Sequence, residues 1–152
     1  MKATRPLRIR VPAVAAAVLL TALTFVTPGV ASADQYSDAD AAIALINDAR
    51  ASAGVAPLTA DGYLGYLAQS WATTMRDGGF LAHNPDLWWE MGDWWQWGEN
   101  VGRGPSVEVL HDAFMNSYHH YLNIVDPTFT SVGVGVAYAD DGRLYIAVVF
   151  GG

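Results

Sequence analysis

The sequence predicts a single domain of mixed class, α+β. Three observations lead there. Apolar residues recur at helical spacing over 43–53, 63–75 and 107–117. The period changes to two over 132–149, and an Asp-Asp-Gly turn joins the two alternating runs. The length, 152 residues, suits one domain rather than two.

Each element has its own signal. Ser37 followed by Asp38 and Asp40 reads as a helix start with acids in its first turn. Ile43, Ile46, Arg50 and Ala53 then share a face, and Gly54 is a stop. Pro57-Leu58 makes a short connection. A second helix is predicted from Thr59 or Asp61 to Asp77, with Tyr63/Leu64, Leu67/Ala68, Trp71/Ala72 and Met75 on its apolar face and Gly78-Gly79 at its end. Trp71 reads as core. Residues 80–97 show no sustained period and hold five of the six tryptophans with Pro85 and Gly92, so they read as a long loop of the kind that carries function. A third helix is predicted from Ser106, with Glu108 in its first turn and Val107, Leu110, Phe114 and Ser117 in one stripe, ending between His120 and Ile124. Val132, Val134 and Val136, then Leu144, Ile146 and Val148, mark two strands of a hairpin turned by Asp140-Asp141-Gly142.

The first 33 residues stand apart. They hold Lys2, Arg5, Arg8 and Arg10 and no acid, then an apolar run over 13–26 that is shorter than a membrane span, then Ala31-Ser32-Ala33. This is the pattern of a signal peptide, residues 1–33, cleaved after Ala33. It predicts a secreted domain, residues 34–152, with no stable membrane anchor after cleavage. That domain has fifteen acids against four arginines, a net charge of −11. Such a surface repels phosphate backbones and anionic head groups, which excludes nucleic acid as a partner and leaves divalent cations compatible.

With no cysteine, thiol catalysis, thiolate metal sites and disulfides are all excluded. There is no G-x-S-x-G, no H-E-x-x-H and no phosphate-binding glycine loop. The chemistry therefore falls to histidines and carboxylates. His83 opens the Trp-rich loop, His111 lies on the third helix, and His119 and His120 are adjacent at its end. Adjacent helical residues point about 100° apart, so His119 and His120 do not both face one site. Two imidazoles from separate segments can share a divalent ion, and Glu99 lies between them in sequence.

Several short motifs occur in a fixed order: Asn47-Asp48-Ala49-Arg50, Pro57-Leu58, Ala82-His83-Asn84, Gly98-Glu99-Asn100-Val101, Ser117-Tyr118-His119-His120, Asn123-Ile124 and Val132-Gly133-Val134-Gly135. Together they resemble the bacterial branch of the CAP superfamily (cysteine-rich secretory proteins, antigen 5, pathogenesis-related 1), across essentially the whole of residues 34–152. The resemblance implies a three-layer α-β-α sandwich with a small antiparallel sheet. It also implies a cleft in which His83 and His120 bind zinc or another divalent cation, with Glu99 as the first acid and Ser117 where many relatives carry a second. Phe114 stands where the pattern has Trp, Tyr118-His119 where it has Pro-Gly, and Tyr121 where it has Arg, so a longer or differently bent helix end is expected there.

Two functional classes follow. One is an extracellular binding or signalling scaffold for an envelope or extracellular ligand: glycan, lipid or protein. The other is a metal-assisted hydrolase of peptide or cell-wall glycan, with Glu99 as base; the resemblance implies no general enzymatic activity. In the Trp-rich loop, packing is the expectation for Trp97. Trp88, Trp89, Trp94 and Trp95 form two consecutive pairs, and in an extended segment one member of each pair points away from the other, so exposed indoles able to bind a ligand are expected.

Overall fold

The computed structural model describes residues 29–152, with side chains from Asp34 onward. The basic and apolar parts of the expected signal segment lie outside the described residues. The elements are α1 (Gly29–Ser52), β1 (Thr59–Ala60), α2 (Gly62–Gly78), α3 (Leu87–Glu90), β2 (Trp97–Gly104), α4 (Val107–Met115), α5 (Tyr118–Val125), β3 (Ser131–Tyr138) and β4 (Leu144–Gly151). The sheet order is β1-β3-β4-β2. β2, β4 and β3 are antiparallel, and two-residue β1 joins β3 in parallel, so the sheet is mixed rather than purely antiparallel.

The period-two runs of β3 and β4 create two apolar surfaces, and the helices divide between them. Val132, Val134, Val136, Leu144, Ile146, Val148 and Phe150 meet Ala42 and Ile46 of α1, Leu110 and Phe114 of α4, and Ile124 of α5. Ala137, Tyr145, Ala147 and Val149 meet Leu64, Leu67, Ala68, Ala72 and Met75 of α2. The result is an α-β-α sandwich with two separate cores. Each fully buried aliphatic side chain contributes roughly 1.5–3 kcal/mol, so these layers dominate the cohesion of the fold.

Gly133 and Gly135 bring α2 directly onto the sheet. A Cβ at Gly133 would lie 2.0 Å from the Leu64 carbonyl carbon, and one at Gly135 would lie 2.2 Å from the Gln69 nitrogen. α2 begins where Asp61 caps it, accepting from the N–H groups of Tyr63 and Leu64, and ends at Gly79, whose φ is 67°.

Four expectations change. α1 already runs from Gly29, so Ser37 is inside the helix rather than its cap; no residue between Ala31 and Tyr36 breaks a helix. β2 occupies part of a region with no strand signal. The third helix is two: Ser117 takes an extended conformation (φ −107°, ψ 117°), ends the α4 segment and opens α5. Trp71 is half-buried at the flank of the second core rather than inside it, and its Nε1–H donates to the Ala82 carbonyl at 2.8 Å.

Candidate metal and ligand cleft

The Asn-x-x-Arg motif is a structural brace. Asn47 pairs with both backbone groups of Leu58, at 3.1 and 2.8 Å. Arg50 is wholly buried, and its guanidinium donates to the carbonyls of Ala56, Ile124, Asp126 and Phe129. Four neutral acceptors satisfy the fork, and burial lowers its pKa while Asp126 opposes the shift. Arg50 thereby fixes the end of α5, the helix that carries His120.

Glu99 and Asn100 stand next to each other on β2, the outer strand, and so point to opposite faces. Glu99 is buried on the α2 side. One of its oxygens lies 2.6 Å from His83 Nδ1 and 3.1 Å from the Asn84 nitrogen. On the other face Asn100 Nδ2 donates to the His120 carbonyl at 3.0 Å, and Asn123 donates to Asn100 Oδ1 at 2.8 Å and to the Glu99 carbonyl at 3.1 Å. One dipeptide thus anchors the His83 loop on one face and α5 on the other. Gly98 permits this, since a Cβ there would press on Asn123 Oδ1 and Phe129 at 3.1 Å.

The two imidazoles are held alike. An ionised carboxylate only accepts, so His83 Nδ1 carries the proton toward Glu99 and Nε2 keeps its lone pair. His120 takes the third position of α5, with Nδ1 2.8 Å from Ser117 Oγ; the hydroxyl can accept from Nδ1–H and again leave Nε2 free. The Phe114 ring lies 5.0 Å from that imidazole, centre to centre. Burial chiefly lowers the His120 pKa, and the His83 and His119 charges lower it further. Burial raises the Glu99 carboxyl; the His83 and Asn84 hydrogen bonds oppose this, and Glu90 adds to it. An orienting partner on Nδ1 with Nε2 unengaged is how a metal-ligating histidine is held, so each imidazole fits the role of a single ligand. Among the described residues no group of three or more His, Asp or Glu side chains is placed to hold an ion.

The other candidates divide. His119 is exposed, and half-buried His111 faces the first core beside Ala42 and Ile46. Trp88, Trp89 and Trp95 are 63%, 74% and 75% exposed. Trp88 and Trp89 belong to the short α3, so both indoles face solvent, rather than one of the pair as extended backbone would give. Trp94 packs instead on the second core, against Gly151. That explains Trp97, which is exposed contrary to expectation: it pairs with Gly151 across the strands, and the Trp94 ring already covers that position. Asn84, Asn100 and Asn123 are the residues to which sequence reasoning gave no role. Their signal was only their place beside His83, Glu99 and the end of α5.

Comparison with known proteins agrees with this architecture. The model of the cysteine-rich secretory protein family, CAP, matches residues 43–150. YkwD of Bacillus subtilis is 30% identical over 112 residues, a stretch taking in 68% of this chain and 43% of YkwD. The chain therefore spans less than half the length of that relative. Among solved structures, an extracellular protein containing an SCP domain from Bacillus anthracis superposes with a TM-score of 0.73 at 20% identity, covering 82% of this chain and 43% of that one. An outer surface protein from Borrelia burgdorferi gives a TM-score of 0.67 at 18% identity, covering 74% of this chain and 90% of that one. At such identities the structural likeness speaks for the fold.

Proposed function

The chain belongs to the cysteine-rich secretory protein (CAP) family, and from that premise we propose that it is an exported binding protein. Its cleft takes a divalent cation, zinc or a similar ion, on His83 and His120. The exposed indoles of Trp88, Trp89 and Trp95 take an envelope or extracellular ligand. Export follows from the leader-like residues 1–33, and relatives described as extracellular or outer surface proteins support it. After cleavage at Ala33, α1 would begin at Asp34 with Asp38 in its next turn, acids that suit the positive end of a helix.

One observation carries the reading: each imidazole has its Nδ1 engaged by its own partner, Glu99 or Ser117. Glu99 is thereby committed to orienting His83 and the Asn84 backbone, which favours binding over catalysis. A bound cation would supply positive charge and open coordination positions at an otherwise neutral pair. Calorimetric zinc titration tests this at pH 7.5 and pH 5.5, beside a His83→Ala/His120→Ala variant. One-to-one binding that weakens at the lower pH and vanishes in the variant supports the proposal, since ligation needs neutral imidazole. Absent or unchanged binding refutes it.

The hydrolase reading has one observation in its favour, the raised pKa of a buried carboxyl hydrogen-bonded to His83. There Glu99 would serve as base, and Glu99→Gln would abolish turnover of a peptide or glycan substrate while leaving metal bound. In the binding reading that variant retains ligand, whereas Trp88→Ala/Trp89→Ala loses it.

A further inference from the structure

The outer edge of β3 leaves the Val134 rung open between two filled ones. Val132, Val134 and Val136 turn their N–H and C=O groups away from β4. The Val132 carbonyl accepts from the Asp61 N–H at 2.9 Å, where β1 runs into α2. Val136 is taken by a side chain acting as a strand: Gln69 Nε2 donates to its carbonyl at 2.9 Å, and Gln69 Oε1 accepts from its N–H at 3.0 Å. Between them, no strand or side chain among the described residues pairs with the outward groups of Val134. They face a groove of about 480 Å³ between α1 and α2, with Tyr36 and Ile43 on one wall and Tyr66 on the other.

Two further features bear on what enters. A Cβ at Gly65, which borders the groove, meets nothing within 4 Å, unlike Gly133 and Gly135 beneath α2. Glycine disfavours a helix interior, and here the absent side chain serves no close approach; it leaves the groove wide. Asp40 stands on the α1 wall in a protein whose residues 34–152 carry a net charge of −11. An acyl chain would leave the Val134 pair unmatched, and a second copy of this acidic chain would bring like charge.

We propose that this groove captures an extended basic peptide segment, whose backbone amide completes the Val134 rung between β1 and Gln69 and whose Lys or Arg side chain reaches Asp40. The site is separate from the His83–His120 cleft and does not depend on its metal.

The probe is acetyl-Val-Lys-Val-Lys-Val-amide, titrated into the purified isotope-labelled chain by NMR. Saturable binding that shifts the Val134 amide is expected. N-methylation of the central residue, or glutamate in place of both lysines, should weaken it by about tenfold or more. Gly65→Phe should abolish it without lowering Tm. Should that variant fold poorly, Asp40→Lys on the exposed helix surface replaces it and should invert the preference between the lysine and glutamate peptides. The proposal is overturned by no binding at millimolar peptide, by an N-methylated peptide that binds equally well, or by wild-type affinity in a folded Gly65→Phe or Asp40→Lys variant. A Val134 shift caused by dodecanoate and not by peptide would also overturn it, assigning the groove to acyl chains.

Discussion

The Nδ1 of His83 lies 2.6 Å from a Glu99 oxygen, with the imidazole side chain 64% exposed and the carboxylate 4% exposed. The buried partner is therefore the fixed one and the exposed ring is the movable one. Glu99 also holds the Asn84 N–H, so the loop is anchored by its backbone as well as by the imidazole. The ring is thus held through Nδ1 from its buried side and is otherwise largely exposed.

Glu99 has a raised pKa, chiefly through burial. Its folded value exceeds its unfolded one, so its contribution to stability is complete at low pH and is lost as pH rises through the folded value. Glu99→Gln keeps the acceptor for His83 and removes the buried charge. Its Tm should match the wild type near pH 4 and exceed it by a few degrees near pH 8. A deficit that widens with pH would show that the pair with His83 outweighs desolvation.

His120 titrates in the opposite sense. Burial, then the His83 and His119 charges, hold its pKa below the ordinary histidine value of 6.5. Stability is then fully present above about pH 6.5 and falls as pH drops through the folded value. His120→Gln should flatten the acid side of the profile from pH 7 to pH 5, measured by urea unfolding. An unchanged slope would mean that the imidazole is solvated.

Arg50 has four carbonyl partners and no carboxylate on its guanidinium. Arg50→Ala leaves them buried and unmet and should cost about 3–5 kcal/mol. Zinc affinity should fall with it, because the Ile124 and Asp126 carbonyls fix the end of the helix bearing His120. A loss under about 1 kcal/mol would show that the loops close without the brace.

The tryptophans should separate by burial. Trp88→Ala and Trp89→Ala should change stability by less than about 0.5 kcal/mol. Trp94→Ala, which uncovers Gly151 and the second core, should cost about 2–4 kcal/mol. Chemical denaturation of the three variants decides this; equal losses would contradict the division between exposed and packed indoles.

Legibility in the sequence tracks side-chain periodicity. α2 is readable from Leu64 to Met75, and the hairpin from Val132 to Val148, because burial on one face writes a period. β2 leaves no such trace. Its residues facing α4 and α5 are Gly98, Asn100, Gly102 and Gly104, small or amide side chains beneath closely packed helices. The break at Ser117 is masked because the stripe of Val107, Leu110 and Phe114 continues smoothly into it. His83, Glu99, Ser117 and His120 are legible through motif order. Their division between two faces of one strand follows only from the β2 register.

β4 is buried along all eight residues and flanked by a strand on each side. Its amides should be the slowest in the molecule to exchange with deuterium, opening only when the whole chain opens. The Glu99–Asn100 dipeptide hangs from one side of it and the Val134 rung from the other. Both proposed binding surfaces are therefore mounted on the part of the protein expected to fluctuate least, and each can fray at its own rim while its mounting stays fixed.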